Sequence, residues 1–319
     1  METGRRPGRV NRGLILALAA CGGSTPATNP SARTVAAAID APPREPNHCA
    51  TLDTPALATE TLTTGTQHWQ IAEHSLTREG SAERVVIGAI ADAGDAAPPT
   101  LAALGRLRAK LDAAAPDVVV VLGGMGATQA ELEATLGTIG DRATWPVVAL
   151  PGDLESVPAL TAAIAALRGR GDPVIDGRLA RWIEVGGVTI ATIPGVAAVS
   201  RLRAGPDGCI YRPEDVAHVL GELANRPGLR IAASAEAPRN GESGELALGG
   251  SETIDVALHG PTSPSPTAAK SGGRDGARVA LTPGTSDAVP RLPVPQVPSA
   301  GFVTVRGGAW SWTPLRDAK

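Results

Sequence analysis

Residues 85–95 read Val-Val-Ile-Gly-Ala-Ile-Ala-Asp-Ala-Gly-Asp, an apolar run that stops at a carboxylate and a glycine. A continuously apolar run of this length predicts a strand buried on both faces of a sheet. Four further runs of this kind end in a turn at residues 121–125, 150–155, 233–238 and 258–263. Sites in α/β sheets lie beyond the carboxyl ends of the strands, so we expect these five turns to meet at one edge of the fold.

Helical patterns separate the first three strands. A first helix is predicted from Pro98, because four leucines then share one face: Leu101, Leu104, Leu107 and Leu111. Thr128 and Glu131 form a capping box that begins a second helix. A third helix is predicted around residues 157–167. Strands joined by helices are expected to run parallel.

Later strands, joined by shorter connections, are expected to add antiparallel to the first ones. They are predicted at residues 182–185, 188–193, 229–234, 254–258, 279–282 and 302–306, with a helix from Arg212 to about Asn225. The Gly/Ser/Pro-rich segments 239–253 and 261–276 are predicted to be surface loops. The fold class predicted is α/β, a mixed β-sandwich flanked by helices on both faces in four layers.

The composition excludes several classes of binding protein. Of the 319 residues, 43% are hydrophobic but only 2% are aromatic, which disfavours binding of single-stranded nucleic acid or sugar by stacking. Removal of residues 1–20 would change the formal charge from −3 to −6, with 25 basic and 31 acidic residues remaining. No cluster of Lys and Arg is present, so we expect neither nucleic-acid binding nor a polybasic membrane patch.

The N-terminus has the features of a targeting segment. Four arginines precede the short apolar segment 13–20, which ends in Leu18-Ala-Ala-Cys21. This ending resembles the lipobox of bacterial lipoproteins, in which the cysteine is lipidated and becomes the new N-terminus. We therefore expect a signal peptide at 1–20, a flexible tether at 21–47 and a folded domain at 48–319. Attachment to the membrane through Cys21 would place the protein in the cell envelope, facing the periplasm or the exterior. The alternative is an ordinary secretory signal with an incidental cysteine.

The other two cysteines, Cys49 and Cys209, are expected to form a disulfide bond in an oxidising compartment. The alternative is a pair of free thiols. No Cys-x-x-Cys motif occurs, so neither a zinc ribbon nor a thioredoxin-type site is predicted.

In their order and spacing, the five turns resemble the strand-end motifs of the calcineurin-like metallophosphoesterase family, over residues 84–310. The family motifs have the forms Asp-x-His, Gly-Asp, Gly-Asn-His-Asp/Glu, a lone His and Gly-His-x-His. The resemblance implies two metal ions that activate a water molecule and neutralise a phosphate.

Most metal-ligand positions of the family are changed in this sequence. Asp92 stands at the first carboxylate position, Asp153 replaces the Asn, and Glu155 keeps the acidic residue that follows it. The positions that lose their family ligand or histidine are Gly94, Gly124, Leu154, Ala235, Pro261 and Ser263. The resemblance therefore implies the fold without a dinuclear centre. No catalytic residue is assigned, and the cofactor expected is none, or at most one weakly bound divalent cation at Asp92 and Asp153.

Three further features have two interpretations each. Asp92, Asp95, Asp153 and Glu155 either converge on one hard cation or are solvated carboxylates at strand ends and helix starts. His259 either swings into the site through a register shift or simply ends its strand. The glycines of 123–126 do not match a dinucleotide fingerprint, and indicate at most a small anion site at the next helix N-terminus.

Two functional hypotheses follow. The first is an exported, lipid-anchored protein with a metallophosphoesterase-like fold that is catalytically inactive and acts as an envelope binding or scaffold module. The alternative is a divergent metal-dependent phosphoesterase that hydrolyses a phosphomonoester or phosphodiester. The sequence identifies no particular protein or small-molecule ligand.

Overall fold

Two mixed β-sheets face each other in the computed structural model, which describes residues 44–94, 96–235, 254–260, 277–280 and 298–315. The strands are β1 (Asn47–His48), β2 (Leu57–Thr64), β3 (Gln67–Glu73), β4 (Ser75–Arg78), β5 (Arg84–Ala91), β6 (Val118–Leu122), β7 (Val147–Leu150), β8 (Val174–Asp176), β9 (Trp182–Val185), β10 (Val188–Ile193), β11 (Cys209–Ile210), β12 (Leu229–Ser234), β13 (Val256–His259), β14 (Ala277–Ala280), β15 (Ser299–Arg306) and β16 (Ala309–Leu315). The helices are α1 (Pro98–Ala114), α2 (Gln129–Gly140), α3 (Val157–Gly169) and α4 (Pro213–Ala224). None of the helices among the described residues is long and apolar enough to cross a membrane.

The first sheet has the order β16-β15-β5-β6-β7-β8, in which β5 to β8 run parallel and β15 is antiparallel to β5. The second sheet has the order β14-β13-β12-β10-β9-β4-β3-β2. The prediction that later strands add antiparallel is wrong for part of this sheet, because β10, β12, β13 and β14 are all parallel. Helix α4 crosses from β10 to β12, and such a crossover returns the chain in the same direction.

Apolar side chains separate four layers. One core fills the space between the sheets, where Val118, Val120 and Leu122 of β6 point. The intervening Val119 and Val121 point to a second core beneath α1, α2 and α3. A third core lies between α4 and the outer face of β10 and β12. The α/β class with a mixed sandwich and helices on both outer faces is therefore confirmed. Burial on both sheet faces also explains why β6 is apolar at every position.

The helices begin where their capping residues predict. The Thr128 side chain accepts a hydrogen bond from the backbone N–H of Glu131, and the Glu131 carboxylate accepts one from the N–H of Thr128, at 3.3 and 2.9 Å. Both hydrogen bonds of the predicted capping box are thus formed. Helix α4 begins at Pro213, directly after Arg212, whose N–H donates to Asp215 at 3.0 Å.

The start of the described chain is attached to the fold at several points. Asn47, which the sequence analysis placed in the tether, pairs with Cys209 in the small β1–β11 sheet. Cys49 and Cys209 form a disulfide bond with a Cα–Cα distance of 5.4 Å. The buried Arg181 donates hydrogen bonds to the carbonyl oxygens of Cys49 and Ala50, at 2.7 and 3.0 Å. These contacts hold the segment that follows the predicted tether.

Candidate functional site

The turns that follow five of the strands meet at one edge of the sandwich, as expected from the sequence. The N–H of Gly94 donates to the carbonyl of Gly124 at 2.6 Å, which joins the turns after β5 and β6. A Cβ atom built on Gly123 would lie 3.1 Å from Gly152 Cα and 3.3 Å from Ala235 Cβ, so the turns after β7 and β12 also touch this point. Gly260, which follows β13, packs against Ala235. The site therefore draws on both sheets.

Two of the changed ligand positions require glycine. Gly124 has a φ of +67°, and a Cβ built there would lie 2.8 Å from Asp92 Oδ1 and 2.9 Å from Asp92 Cα. Gly94 has a φ of +109°, and a Cβ there would clash with Thr100 Cγ2. An Asp at 124 or a His at 94 would therefore be strained and would overlap its neighbours. Atoms of Thr100 and Asp92 therefore lie where side chains at positions 94 and 124 would begin.

Asp92 is half-buried at the end of β5, with a φ of +48° that non-glycine residues adopt infrequently. Burial, followed by repulsion from Asp153 and Glu155, raises the pKa of Asp92 to about 7, while Arg203 acts in the opposite direction. Although solvent still reaches part of the residue, its carboxyl group lies deep enough for desolvation to be the largest effect. Burial therefore favours the neutral form of the Asp92 carboxyl group.

Glu155 is fully buried and joins two of the turns. One carboxylate oxygen accepts a hydrogen bond from the N–H of Met125 at 2.5 Å, and the other accepts one from the N–H of Gly152 at 2.7 Å. Burial raises the pKa of Glu155, and these backbone hydrogen bonds partly offset the effect. The interpretation of Glu155 as a solvated carboxylate is wrong. Its oxygens instead tie the turn after β6 to the turn after β7.

Carboxylates of the protein take up several backbone donors where an anion site was considered, at the start of α2. Glu155 occupies the N–H of Met125, and the Glu131 carboxylate occupies the N–H groups of Ala127 and Thr128 at 2.8 and 2.9 Å. An anion at a helix N-terminus needs free N–H donors. Here side chains of the protein bind the N–H groups of Met125, Ala127, Thr128 and Glu131.

Arg203, which the sequence analysis did not identify, binds the second residual acidic residue. Its Nε and Nη2 donate to the two carboxylate oxygens of Asp153 at 2.7 and 3.2 Å. The N–H of Ala204 also donates to the carbonyl of Asp153 at 2.9 Å. The hydrogen bond to Asp153 raises the pKa of Arg203, with smaller contributions in the same direction from Glu155 and Asp92. Arg203 lies in an irregular loop between β10 and β11, where no motif marks it.

The other predicted site positions within the described residues add few polar groups to this edge. Ala235 is buried, Leu154 is half-buried, and neither side chain has a ligand atom. His259 ends β13, is 6% exposed, and its Nδ1 lies 3.1 Å from the carbonyl oxygen of Gly260. The register of β13 against β12 continues without a shift to the Ser234–His259 pair. Cys21, Asp95, Pro261 and Ser263 lie outside the described residues.

The residues at this edge do not fit two metal ions. Within the described part of the chain, no three His, Cys, Asp or Glu side chains are grouped so as to hold a metal. Asp153 is paired with a guanidinium, and the oxygens of Glu155 are used by backbone donors. Gly124 approaches Asp92 too closely for a bridging carboxylate. Chemically, the site offers one half-buried carboxyl group with a raised pKa.

A cavity of about 640 Å³ lies at the opposite ends of the strands. Its lining includes the apolar Val85, Leu229 and Val305, and the ion pair between Arg230 Nε and Asp255 Oδ2 at 3.3 Å. This volume is within the range of small-molecule sites, about 300–1,000 Å³. No described residue of the five strand-end turns is among its lining residues.

Neither a family model nor a curated protein matches the sequence. Solved structures do resemble it. A dimetal phosphatase from Danio rerio is 10% identical with a TM-score of 0.46, covering 73% of this chain and 99% of that one. The protein TT1561 of Thermus thermophilus is 14% identical with a TM-score of 0.46, covering 73% and 99%. Purple acid phosphatase PPD1 from yellow lupin seeds is 10% identical with a TM-score of 0.43, covering 78% and 54%. Identities this low concern the fold alone.

Proposed function

We propose that this chain is an exported, lipid-anchored protein with a metallophosphoesterase-like fold that has no phosphoesterase activity and acts as a binding or scaffold module in the cell envelope. The observation that carries the proposal is the contact between Gly124 and Asp92. A Cβ atom on Gly124 would lie 2.8 Å from Asp92 Oδ1 and 2.9 Å from Asp92 Cα, so a carboxylate side chain at position 124 would overlap Asp92. We expect no dinuclear centre without that bridge and without the four ligand histidines of the family, whose positions are taken here by Gly94, Ala235, Pro261 and Ser263.

The electrostatics of the site also disfavour a phosphate substrate. Asp92, Asp153 and Glu155 bring three carboxyl groups to one edge, and the guanidinium of Arg203 interacts with all three. In a dinuclear phosphoesterase, two dications reverse the sign of such a cluster. Without them, a phosphoryl group would meet net negative charge, which raises the free energy of both binding and reaction.

The alternative, a divergent metal-dependent phosphoesterase, is favoured by one feature. Asp92 has a pKa of about 7, which suits a general base near neutral pH. Activity on a simple phosphodiester distinguishes the two functions. We expect no hydrolysis of bis-p-nitrophenyl phosphate above the buffer rate, with or without added Mn²⁺. Hydrolysis by the wild-type chain that Asp92→Ala removes would establish the alternative.

Export and lipid anchoring rest on the N-terminal sequence and agree with the Cys49–Cys209 bond, which suits an oxidising compartment. Cell fractionation tests this part of the proposal separately. The wild-type chain should sediment with membranes, and Cys21→Ala should not carry the lipid and should appear in the soluble fraction. Recovery of the wild-type chain in the soluble fraction would refute the anchor and leave the question of activity untouched.

A further inference from the structure

We propose that Arg203 is an internal substitute for the metal ions: its guanidinium supplies, from within the chain, the positive charge that holds the acidic strand ends together. This inference rests on the proposed function, because it concerns a site without a dinuclear centre. It adds a positioning role for a residue that lies outside all five strand-end turns.

The contact has the geometry of a dedicated ion pair. Two nitrogens of Arg203 meet both carboxylate oxygens of Asp153, at 2.7 and 3.2 Å. Such a paired arrangement fixes the orientation of both groups and is stronger than a single charged hydrogen bond. Asp153 is the residue at the metal-ligand position after β7, so the guanidinium occupies the oxygens that a cation would use.

The backbone holds the Arg203 loop against the same turn. The N–H of Ala204 donates to the carbonyl of Asp153 at 2.9 Å, and the N–H of Gly195 donates to the carbonyl of Pro151 at 2.8 Å. At its other end, the loop enters β11 at Cys209, which is linked to Cys49. The segment that carries Arg203 is therefore attached to the fold at both ends, although the Arg203 side chain is 58% exposed.

The guanidinium also acts on the other two carboxyl groups of the site. Asp92 and Glu155 also interact electrostatically with Arg203, so one guanidinium serves three carboxyl groups. Arginine stays protonated at any pH at which the protein is folded. Unlike a metal ion, a guanidinium cannot coordinate a water molecule and lower the pKa of that water. Arg203 in place of the metal ions therefore keeps their structural role but not their catalytic role.

Thermal unfolding of the full chain at pH 8 tests the role of Arg203. Arg203→Gln removes the charge at nearly constant size, and Arg168→Gln is a matched control, because Arg168 pairs with Glu60 at 2.7 Å on a distant surface with its side chain 30% exposed. We expect Arg203→Gln to lower Tm by about 3 °C or more relative to Arg168→Gln. Millimolar Ca²⁺ should then raise the Tm of Arg203→Gln while leaving the wild-type Tm unchanged.

A double variant tests whether the loss of Tm comes from uncompensated negative charge. Adding Asp153→Asn to Arg203→Gln should recover part of the lost Tm, because it removes one of the uncompensated charges. The proposal is overturned if Arg203→Gln is as stable as Arg168→Gln and gains no response to Ca²⁺. Failure of the proposed function looks different, since it would appear as phosphodiester hydrolysis or tightly bound metal in the wild-type chain.

Discussion

Restoring the bridging carboxylate should damage the fold rather than rebuild a metal centre. In Gly124→Asp, the new side chain would start from a backbone with a φ of +67°, which costs about 1–2 kcal/mol for a non-glycine residue. Its Cβ would lie 2.8 Å from Asp92 Oδ1 and 2.9 Å from Asp92 Cα. Overpacking of this kind typically costs about 1–3 kcal/mol. The total loss expected is about 2–5 kcal/mol.

The loss is measured by urea denaturation and by thermal unfolding, where each kcal/mol corresponds to about 2–4 °C in a domain of this size. Gly124→Ala separates the steric cost from the added charge and should already account for most of the loss. Gly105→Asp is the matched control, because Gly105 lies in α1 and an added Cβ there meets no atom within 4 Å. A Gly124→Asp protein as stable as wild type that binds two Mn²⁺ ions would refute the reasoning.

Three further predictions concern the same residues and the disulfide. Folding raises the pKa of Asp92 from 3.8 to about 7. Protonation of Asp92 therefore stabilises the folded state fully below pH 3.8, and this stabilisation is lost as the pH rises through 7. Asp92→Asn should therefore gain stability relative to wild type between pH 4 and 8, on the order of 4 kcal/mol; a constant difference across that range would contradict this. Glu155→Gln should cost about 1–3 kcal/mol in urea, because one of the N–H groups of Met125 and Gly152 loses its acceptor, and an unchanged midpoint would show that the hydrogen bonds are dispensable. Replacing Cys49 and Cys209 by Ser opens a 160-residue loop and should cost up to about 5 kcal/mol, whereas an unchanged Tm would assign the anchoring to β1 and Arg181 alone.

The sequence predicted the central strands well because burial on both faces makes β5, β6, β7, β10 and β12 almost continuously apolar. It did not predict β2, a mostly exposed strand rich in Thr, or the three-residue β8. The parallel pairing of β12 with β10 was also missed. The direction of β12 relative to β10 depends on the crossover through α4, and the sequence of the strand itself does not specify it.

The sequence indicated which residues follow the apolar runs, and the contacts between those residues required coordinates. The positions of Asp92, Gly124 and Asp153 followed from their places after apolar runs. The closeness of Gly124 to Asp92 and the pairing of Asp153 with Arg203 did not, since 50 residues separate the members of the ion pair. Local sequence patterns carry no information about such a contact, because the fold alone brings the two residues together.

The metal content of the wild-type chain tests the central claim most directly. The protein is incubated with excess Mn²⁺ and Zn²⁺, freed of unbound ions on a desalting column and measured by mass spectrometry of the elements. Because Gly94, Gly124, Leu154 and Ala235 offer no side-chain ligand atoms, we predict well below one equivalent of metal per chain. Two equivalents per chain would contradict the account and restore the phosphoesterase interpretation.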